Sequence, residues 1–282
     1  MTRCGMVAIV GKPNSGKSTL TNAFVGQKVS IVTHKPQTTR RQIQGVAIWD
    51  DAQVVFVDTP GIFNGKGKFE SALVDSAYRA LEQVDLVIIL IDPNDFQEDF
   101  ITTLKTKLKN RPYLVVLNKA DLSSKKNEDE INADLKISAL QGTNLDKLKT
   151  EILKHIPKHP WLYSEDQVTN ISERLWTSEL IREQAMLCLR QELPYELYVE
   201  CDSYKEQEDG SIRMHHNIVV SATRYKPMIL GHKGSMIKKI GTQARQVIEQ
   251  QLDARVHLFL NVKVTEKWQD RTQILRREGI LS

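Results

Sequence analysis

Short apolar runs alternate with amphipathic stretches over the first 155 residues. The first run, Met6 to Val10, stops at a glycine-rich turn, and Ser18 to Val25 then follows a helical pattern. Three further apolar runs end in polar turns, with helical stretches between them: Val54 to Val57, Leu86 to Ile91 and Tyr113 to Leu117. This alternation predicts an α/β domain with a mostly parallel sheet and helices on both faces. In such sheets ligands bind beyond the carboxyl ends of the strands.

The pattern changes near residue 160. Pro157 and Pro160 mark a linker, so we expect two domains, at residues 1–160 and 161–282. The second part predicts an α+β domain with a helix over about 171–191, strands near 195–201 and 211–221, a glycine-interrupted helical stretch over about 228–252, a strand over 255–264 and a basic terminal helix.

Composition limits the class of protein. With 282 residues, 40% hydrophobic and 26% charged, the chain suits two globular domains. The longest aliphatic run, Leu86 to Ile91, is far too short to span a bilayer. The first residues hold no apolar stretch of the secretory type, so we expect no secretory signal.

A phosphate-binding pattern follows the first strand. Residues 11–18 match G-x-x-x-x-G-K-[ST], in which glycines allow close approach and backbone amides face phosphate oxygens. We expect Lys17 to bridge the β- and γ-phosphates and Ser18 to offer a hydroxyl to Mg²⁺. The residues predicted here to bind nucleotide are Gly11, Lys12, Pro13, Asn14, Ser15, Gly16, Lys17, Ser18 and Thr19.

A second motif indicates the base. Asn118, Lys119 and Asp121 directly follow the strand that ends at Leu117. The Asp121 carboxylate can accept hydrogen bonds from guanine N1–H and from the exocyclic amine, donors that adenine lacks in these positions. Asn118 and Lys119 would brace the loops. The short motif Ser138, Ala139 and Leu140 would add a backbone amide for guanine O6.

Two further segments suit the metal ion and the γ-phosphate. In Asp58-Thr59-Pro60-Gly61, Asp58 would hold Mg²⁺ through water, and the Gly61 amide would contact the γ-phosphate. A threonine from residues 37–41 would reach Mg²⁺ only when GTP is bound. Thr39 is favoured over Thr38, and both stay open. Loss of the γ-phosphate would release both segments, as in an order–disorder switch.

The second part carries a G-x-x-G loop in a basic stretch. From Ser211 to Ile248 there are seven basic residues and no acid, whereas Glu165 to Asp209 holds twelve acids and four bases. Such asymmetry is either a solvated face or an RNA-binding face. The predicted order of elements is that of a type II KH fold, in which the G-x-x-G loop clamps the nucleic-acid backbone. The predicted RNA-binding residues are Gly231, His232, Lys233, Gly234, Lys238, Lys239 and Arg245. Met228, Ile229, Leu230, Ile237 and Ile240 would form an apolar floor for bases or pack in the core.

The first 155 residues resemble the translation-factor-related GTPases, and the whole chain resembles the Era family of bacterial GTPases. Four stretches are as that family has them: Lys12 to Leu20, Gln37 to Arg40, Glu192 to Tyr195 and Val256 to Leu258. The resemblance implies a monomeric GTPase that uses GTP, GDP and Mg²⁺ and binds ribosomal RNA of the small subunit during its assembly. It also implies a cytoplasmic protein, in part peripherally at the inner membrane.

One position departs from Ras-type relatives. Ile62 follows Gly61, where those proteins have a glutamine that orients the attacking water. Asn14 resembles an asparagine that holds K⁺ in some relatives with a hydrophobic residue here, and such an ion would stabilise charge on the transferred phosphate. Alternatively, Asn14 only tolerates the backbone of the loop. We therefore expect slow hydrolysis, with Lys17, Thr39, Gly61 and Asn14 as the catalytic residues and Ile62 as a neighbour of the nucleotide.

Two other functions remain at this stage. A phosphate-loop kinase would use the same loop, but Asp121 argues for guanine rather than adenine. An RNA-binding module with a vestigial nucleotide site would not need Lys17, Ser18, Asp58 and Asp121 together.

Overall fold

The computed structural model describes residues 2–65, 67–122 and 131–281, and these form two compact units. One comprises Met1–Asn170 with Gly279–Ser282, and the other Ile171–Glu278. The strands of the first unit are β1 (Arg3–Val10), β2 (Ile43–Trp49), β3 (Ala52–Asp58), β4 (Leu86–Ile91), β5 (Tyr113–Leu117) and β6 (Leu135–Lys136). Its helices are α1 (Lys17–Val25), α2 (Lys68–Arg79), α3 (Glu98–Leu108) and α4 (Leu145–Leu153).

The strands of the first unit form one sheet in the order β2-β3-β1-β4-β5-β6. All neighbours are parallel except β2 and β3, which are antiparallel. One face packs against residues of α1 and α4, such as Leu20 and Leu148, and the other against residues of α2 and α3, such as Ala77 and Leu104. The predicted α/β fold with a mostly parallel sheet and helices on both faces is confirmed. Strands β2 and β6 lie outside the four apolar runs of the sequence.

This topology brings the motifs to one edge. Because β1, β3, β4 and β5 run parallel, their carboxyl ends meet at the same edge of the sheet. The phosphate-binding loop follows β1, Asp58 ends β3, and Asn118 follows β5. Segments distant in sequence are thereby held around one site.

The second unit is a small α+β domain. Its elements are α5 (Glu173–Cys188), β7 (Leu197–Glu206), β8 (Ile212–Val220), α6 (Lys226–Leu230), α7 (Ser235–Leu252), β9 (Val256–Val264) and α8 (Thr272–Arg277). The sheet has the order β7-β8-β9, with β7 antiparallel and β9 parallel to β8. Helix α5 contacts β7, and α7 contacts β9 and α5. This is the predicted order of a type II KH domain.

The boundary between the units lies ten residues later than the predicted one. Residues 161–170 run along the sheet of the first unit instead of opening the second domain. The backbone N–H of Val46 donates to the carbonyl of Val168 at 2.9 Å, and the N–H of Leu162 donates to Gln53 Oε1 at 2.8 Å. These hydrogen bonds satisfy the extended backbone after Pro160, so the chain leaves the first unit at Asn170.

Among the described residues, no helix has the length and apolar character needed to cross a bilayer.

Candidate functional site

The phosphate-binding loop, residues 11–18, has the backbone that its glycines predict. Gly16 has φ 96°, and a Cβ there would lie 2.2 Å from Asn118 Nδ2. A Cβ on Gly11 would lie 2.3 Å from the carbonyl oxygen of Leu90. Asn14 also has positive φ, at 62°. The loop therefore packs too closely on its neighbours to accept side chains at Gly11 and Gly16.

Lys17 is held in place by this loop. Its Nζ donates to the carbonyls of Gly11 at 3.2 Å and Lys12 at 2.8 Å. Burial lowers the pKa of Lys17 to about 8, partly offset by the charge of Asp58. A buried ammonium of this kind gains most from an anionic ligand, because a phosphate would supply the negative charge that the site needs.

Three oxygen-bearing side chains form a cluster suited to Mg²⁺. Ser18 Oγ donates to Asp58 Oδ2 at 2.8 Å, and Thr39 Oγ1 lies 2.8 Å from Ser18 Oγ and 3.4 Å from Asp58 Oδ2. Asp58 is fully buried, and burial raises the pKa of its carboxyl despite the hydrogen bond from Ser18 and the charge of Lys17. No hydrogen bond of normal geometry reaches Asp58 Oδ1 from the described residues. Hard oxygen donors around an undersolvated carboxylate fit a magnesium ion.

The structure brings Thr39, and not Thr38, to this cluster. Thr38 Oγ1 instead donates to the carbonyl of Lys35 at 2.8 Å and lies 2.7 Å from Thr33 Oγ1. Thr38 therefore stabilises the local turn, while Thr39 faces Ser18 and Asp58.

Asn118 connects the phosphate-binding loop to the serine loop, residues 138–140. Its Nδ2 donates to the Ser15 carbonyl at 2.9 Å, and its Oδ1 accepts from the Ala139 N–H at 2.9 Å. Ser138 Oγ donates to Asp121 Oδ1. Asp121 is thus fixed by a hydroxyl on one oxygen, which orients the carboxylate for a base.

Two of the lysines predicted to bind nucleotide form ion pairs with aspartates of the loop that follows β4. Lys119 Nζ lies 2.6 Å from Asp92 Oδ2, and Lys12 Nζ lies 2.7 Å from Asp95 Oδ1. Lys12 therefore contributes its backbone to the phosphate-binding loop, while its ammonium is bound to Asp95.

The residues after Asp58 are fixed by the backbone of β1 and of the phosphate-binding loop. Thr59 Oγ1 donates to the carbonyl of Ile9 at 2.8 Å, and the Ile62 N–H donates to the carbonyl of Gly11 at 3.0 Å. A Cβ on Gly61 would lie 2.7 Å from the Pro13 nitrogen. The side chain of Ile62 is 5% exposed and packs in the core, so it cannot orient a water molecule.

The predicted nucleotide residues surround a cavity of about 400 Å³, a size typical of ligand sites. The predicted residues that line it are Pro13, Asn14, Gly16, Lys17, Ser18, Thr19, Thr39, Gly61, Asn118, Lys119, Asp121, Ser138 and Leu140. The remaining predicted residues are not part of the lining: Gly11, Lys12, Ser15, Asp58, Thr59, Pro60, Ile62 and Ala139.

One wall of this cavity lies outside the predicted motifs. Ile31, Val32, Thr33 and His34 line it, between α1 and β2. Asn22 fixes the start of this segment, because its Oδ1 accepts from the N–H groups of Val29 and Ser30, each at 2.9 Å. Asn14 Nδ2 donates to the His34 carbonyl at 3.1 Å. The segment matches no motif, and the only sequence signal is the apolar pair Ile31-Val32.

The G-x-x-G loop of the second unit, residues 231–234, lies at the surface. Gly231, Lys233 and Gly234 have φ of 72°, 49° and 77°. A Cβ on Gly231 would lie 2.7 Å from the backbone nitrogen of Met236, whereas one on Gly234 would meet open space. His232, Lys233, Lys238 and Lys239 are exposed. The loop therefore presents backbone and cations together.

A groove of about 320 Å³ lies beside α7. Its lining residues are Ile237, Lys238, Gly241, Thr242, Arg245, Leu258 and Leu260. Leu258 and Leu260 of β9 were not predicted, because they belong to a strand that precedes no motif. Arg245 is paired with Glu249 at 3.0 Å. Ile229 and Ile240 are fully buried, as the alternative of core packing predicted, whereas Ile237 lines the groove.

Comparisons with known proteins follow the same division of the chain. Residues 6–119 match the family described as 50S ribosome-binding GTPase, and residues 192–269 match the KH domain family. The chain is 40% identical to GTPase Era of Erythrobacter litoralis, over 99% of this chain and 97% of that protein. It is also 40% identical to GTPase Era of Mesorhizobium japonicum, over 99% of this chain and 94% of that protein.

Solved structures agree with these relatives. A crystal structure of a variant of Aquifex aeolicus Era bound to GDP·AlF4⁻ has a TM-score of 0.93 and 36% identity, with both chains fully covered. Era in complex with MgGDPNP and nucleotides 1506–1542 of 16S ribosomal RNA has a TM-score of 0.92 and 36% identity, again with full coverage of both chains. The phosphate-binding loop, the guanine-type motif and the KH unit lie in one chain that these relatives match over nearly its full length, and the chain belongs to the Era family of GTPases.

Proposed function

We propose that this protein is a GTP-driven switch that binds small-subunit ribosomal RNA and assists assembly of that subunit. The observation that carries the proposal is the shared cavity, which brings Lys17, Asp121 and the Ser18–Thr39–Asp58 cluster together. A relative that matches this chain over its full length has been crystallised with MgGDPNP and a fragment of 16S ribosomal RNA, which supports both the nucleotide and the RNA.

The nucleotide would be read from both ends. Lys17 and the amides of the phosphate-binding loop would hold the β- and γ-phosphates. Asp121 would accept from the two donors of guanine, and the Ala139 amide would face O6. Mg²⁺ would be held by Ser18 and Thr39 and, through water, by Asp58, where it would neutralise charge on the phosphates.

Hydrolysis would depend on positioning and charge rather than on a general base. Ile62 leaves no polar side chain after Gly61. The Gly61 amide and Thr39 would order around the γ-phosphate, and their release after hydrolysis would report the state of the nucleotide.

Asn14 would supply a K⁺ site together with the His34 carbonyl. The two groups are hydrogen-bonded at 3.1 Å, and both carry oxygens of the kind that K⁺ prefers. We expect GTP hydrolysis to be faster in KCl than in NaCl at equal ionic strength, and we expect Asn14→Ala to abolish that difference. Equal rates of the unaltered protein in both salts would contradict this role.

The second unit would bind the RNA. Gly231, His232, Lys233 and Gly234 would clamp the backbone, and Lys238 and Lys239 would add phosphate contacts. Bases would enter the groove beside α7. Because Arg245 is paired with Glu249, it would serve the groove less than the lysines do.

The decisive experiment combines two assays. Phosphate release from GTP and from ATP should differ strongly in favour of GTP, with Lys17→Ala inactive. Crosslinking of GTP-loaded and GDP-loaded protein to total cellular RNA should recover small-subunit ribosomal RNA, more with GTP. Equal use of ATP would favour a kinase, and no phosphate release with RNA and K⁺ present would favour a vestigial nucleotide site.

We also expect the protein to be a monomer, which size-exclusion chromatography tests. We expect it in the cytoplasm and partly bound to the inner membrane, which cell fractionation tests.

A further inference from the structure

An aromatic stack lies on the sheet of the second unit, outside the groove. The rings of His215 and Phe259 are parallel within 12°, with centroids 4.6 Å apart. The guanidinium carbon of Arg213 lies 5.0 Å from the centroid of Phe259. Phe259 is 43% exposed. Part of the ring therefore remains in contact with solvent.

Strand alternation explains the position of this stack. Residues in β9 alternate, so that Leu258 and Leu260 line the groove beside α7 while Phe259 lies on the opposite face. His215 pairs directly with Phe259 in the parallel register of β8 and β9. The two rings are thus cross-strand neighbours that the sheet itself holds in a fixed orientation.

Two cations, Arg213 and Lys205, lie beside the stack on the sheet and can contact a phosphate. Lys205 is opposite Arg213 in the register of β7 and β8, and His257 is opposite Arg213 in that of β8 and β9. Among the described residues, no carboxylate forms an ion pair with Arg213. The guanidinium contacts the aromatic ring instead. A phosphate that binds Arg213 therefore has no carboxylate to displace.

Acidic residues form one rim of this surface. An open depression of about 620 Å³ is lined by Arg213, His257, Phe259 and Ser211 and by the turn residues Glu206, Gln207, Glu208 and Asp209. Asp209 Oδ1 already accepts from the N–H and Oγ of Ser211, which stabilises the turn. The rim can accept hydrogen bonds from the amino groups of a base, while the cations lie on the sheet beside it.

The edge position of β9 connects this surface to the groove. In the sheet order β7-β8-β9, β9 is an edge strand among the strands that the structure describes. A chain that leaves the groove at Leu258 and passes around this edge meets Phe259, the next residue of the same strand. A nucleic acid longer than the groove can therefore reach both faces.

We propose that Arg213, His215 and Phe259 form a second contact surface for single-stranded RNA. An unpaired base stacks on the aromatic pair, and its phosphate contacts Arg213. The proposal rests on the proposed RNA-binding function and extends it to the face of the sheet opposite the groove.

The test compares two RNA lengths. One oligonucleotide has about four nucleotides, the length that a KH loop clamps, and the other is about three times as long. Phe259→Leu keeps the apolar bulk and removes the ring, and we expect it to weaken binding of the long oligonucleotide about tenfold. Binding of the short one should not change. Arg276→Gln removes an exposed charge elsewhere in the unit and should leave both affinities unchanged.

A second readout reports stacking directly. In Phe259→Trp the new indole should be quenched by the long oligonucleotide and not by the short one, relative to the unaltered protein. The far-ultraviolet circular dichroism spectrum and the thermal unfolding curve verify the fold of each variant, because GTP hydrolysis takes place in the first unit and does not report on the second. Unchanged affinity of Phe259→Leu for the long oligonucleotide, or equal loss for both lengths, would overturn the second surface. Failure of the proposed function is distinct, because there Lys233→Asp would retain its affinity for the short oligonucleotide.

Discussion

At the scale of single residues, burial sets the chemistry of the nucleotide site. Lys17 is 6% exposed and Asp58 is fully buried. Burial lowers the pKa of Lys17 and raises the pKa of Asp58, so it favours the neutral form of each side chain. A phosphate bound near the lysine and a metal ion bound near the carboxylate would favour the charged form of each side chain. The site is therefore built to gain stability from Mg²⁺ and nucleotide together.

The lowered pKa of Lys17 predicts that affinity for GDP depends on pH. Its pKa in the free protein is about 8, below the ordinary 10.5, and bound phosphates favour the protonated form. Below pH 8 the lysine is already charged, so affinity for GDP should be flat. Above pH 8 binding takes up a proton, and affinity should fall by up to tenfold per pH unit. Calorimetry between about pH 7 and 9 measures this. Lys17→Met, which cannot titrate, should bind weakly with no such slope.

The assignment of Asp121 as the residue that binds guanine predicts the effect of replacing its carboxylate. Asp121→Asn replaces an acceptor with a donor on one atom, so one of the two hydrogen bonds to guanine is lost. We expect GDP affinity to fall by about 3 kcal/mol, roughly 150-fold. Affinity for inosine diphosphate, which lacks the exocyclic amine, should fall less. Ser138→Ala removes only the supporting hydroxyl and serves as the milder control. The same preference for guanine in Asp121→Asn and in the unaltered protein would contradict the assignment.

At the scale of elements, the turn between β1 and α1 depends on a close contact. A methyl group at Gly16 would lie 2.2 Å from Asn118 Nδ2, at a φ of 96°. Gly26, at the other end of α1, has φ 77° and open space around its Cβ position. A side chain at Gly26 would therefore cause backbone strain alone, whereas one at Gly16 would also cause a steric clash.

Alanine at these positions should give different results. Gly26→Ala should lower the free energy of unfolding by about 1 kcal/mol, from strain alone, and leave GDP affinity unchanged. Gly16→Ala should cost about 2–3 kcal/mol and weaken GDP binding by more than tenfold, because Asn118 must move. Chemical denaturation and calorimetry measure both quantities. Similar effects of the two substitutions would show that the contact with Asn118 does not matter.

The elements that carry motifs could be predicted, and the surfaces between them could not. Asp58, Asn118 and Asp121 follow apolar strands, so the parallel topology alone brings them to one edge. Val32 and Leu258 line cavities without any motif, because their positions depend on tertiary packing. The linker was placed too early because two prolines suggest a break, while hydrogen bonds to Gln53 and Val46 keep the following residues on the first unit.

At the scale of the whole molecule, each unit has its own core and its own predicted ligand. Lys233→Asp alters the G-x-x-G loop, and Lys147→Asp makes the same change of charge on the exposed side of α4. We expect Lys233→Asp to weaken RNA binding at least tenfold and Lys147→Asp to change it less than threefold. Neither should alter GTP hydrolysis without RNA. Equal losses of RNA affinity would mean that overall charge, rather than the loop, holds the RNA.

The two hydrogen bonds of the Asn118 side chain join the phosphate cradle to the base pocket, so the two halves form a single framework. A guanosine or a pyrophosphate alone would have to stiffen that framework without help from the other half. The intact nucleotide stiffens it once and benefits at both ends, so its affinity should exceed what its fragments suggest. Such a site empties in one concerted step, and anything that loosens Asn118 would hasten departure of the whole nucleotide.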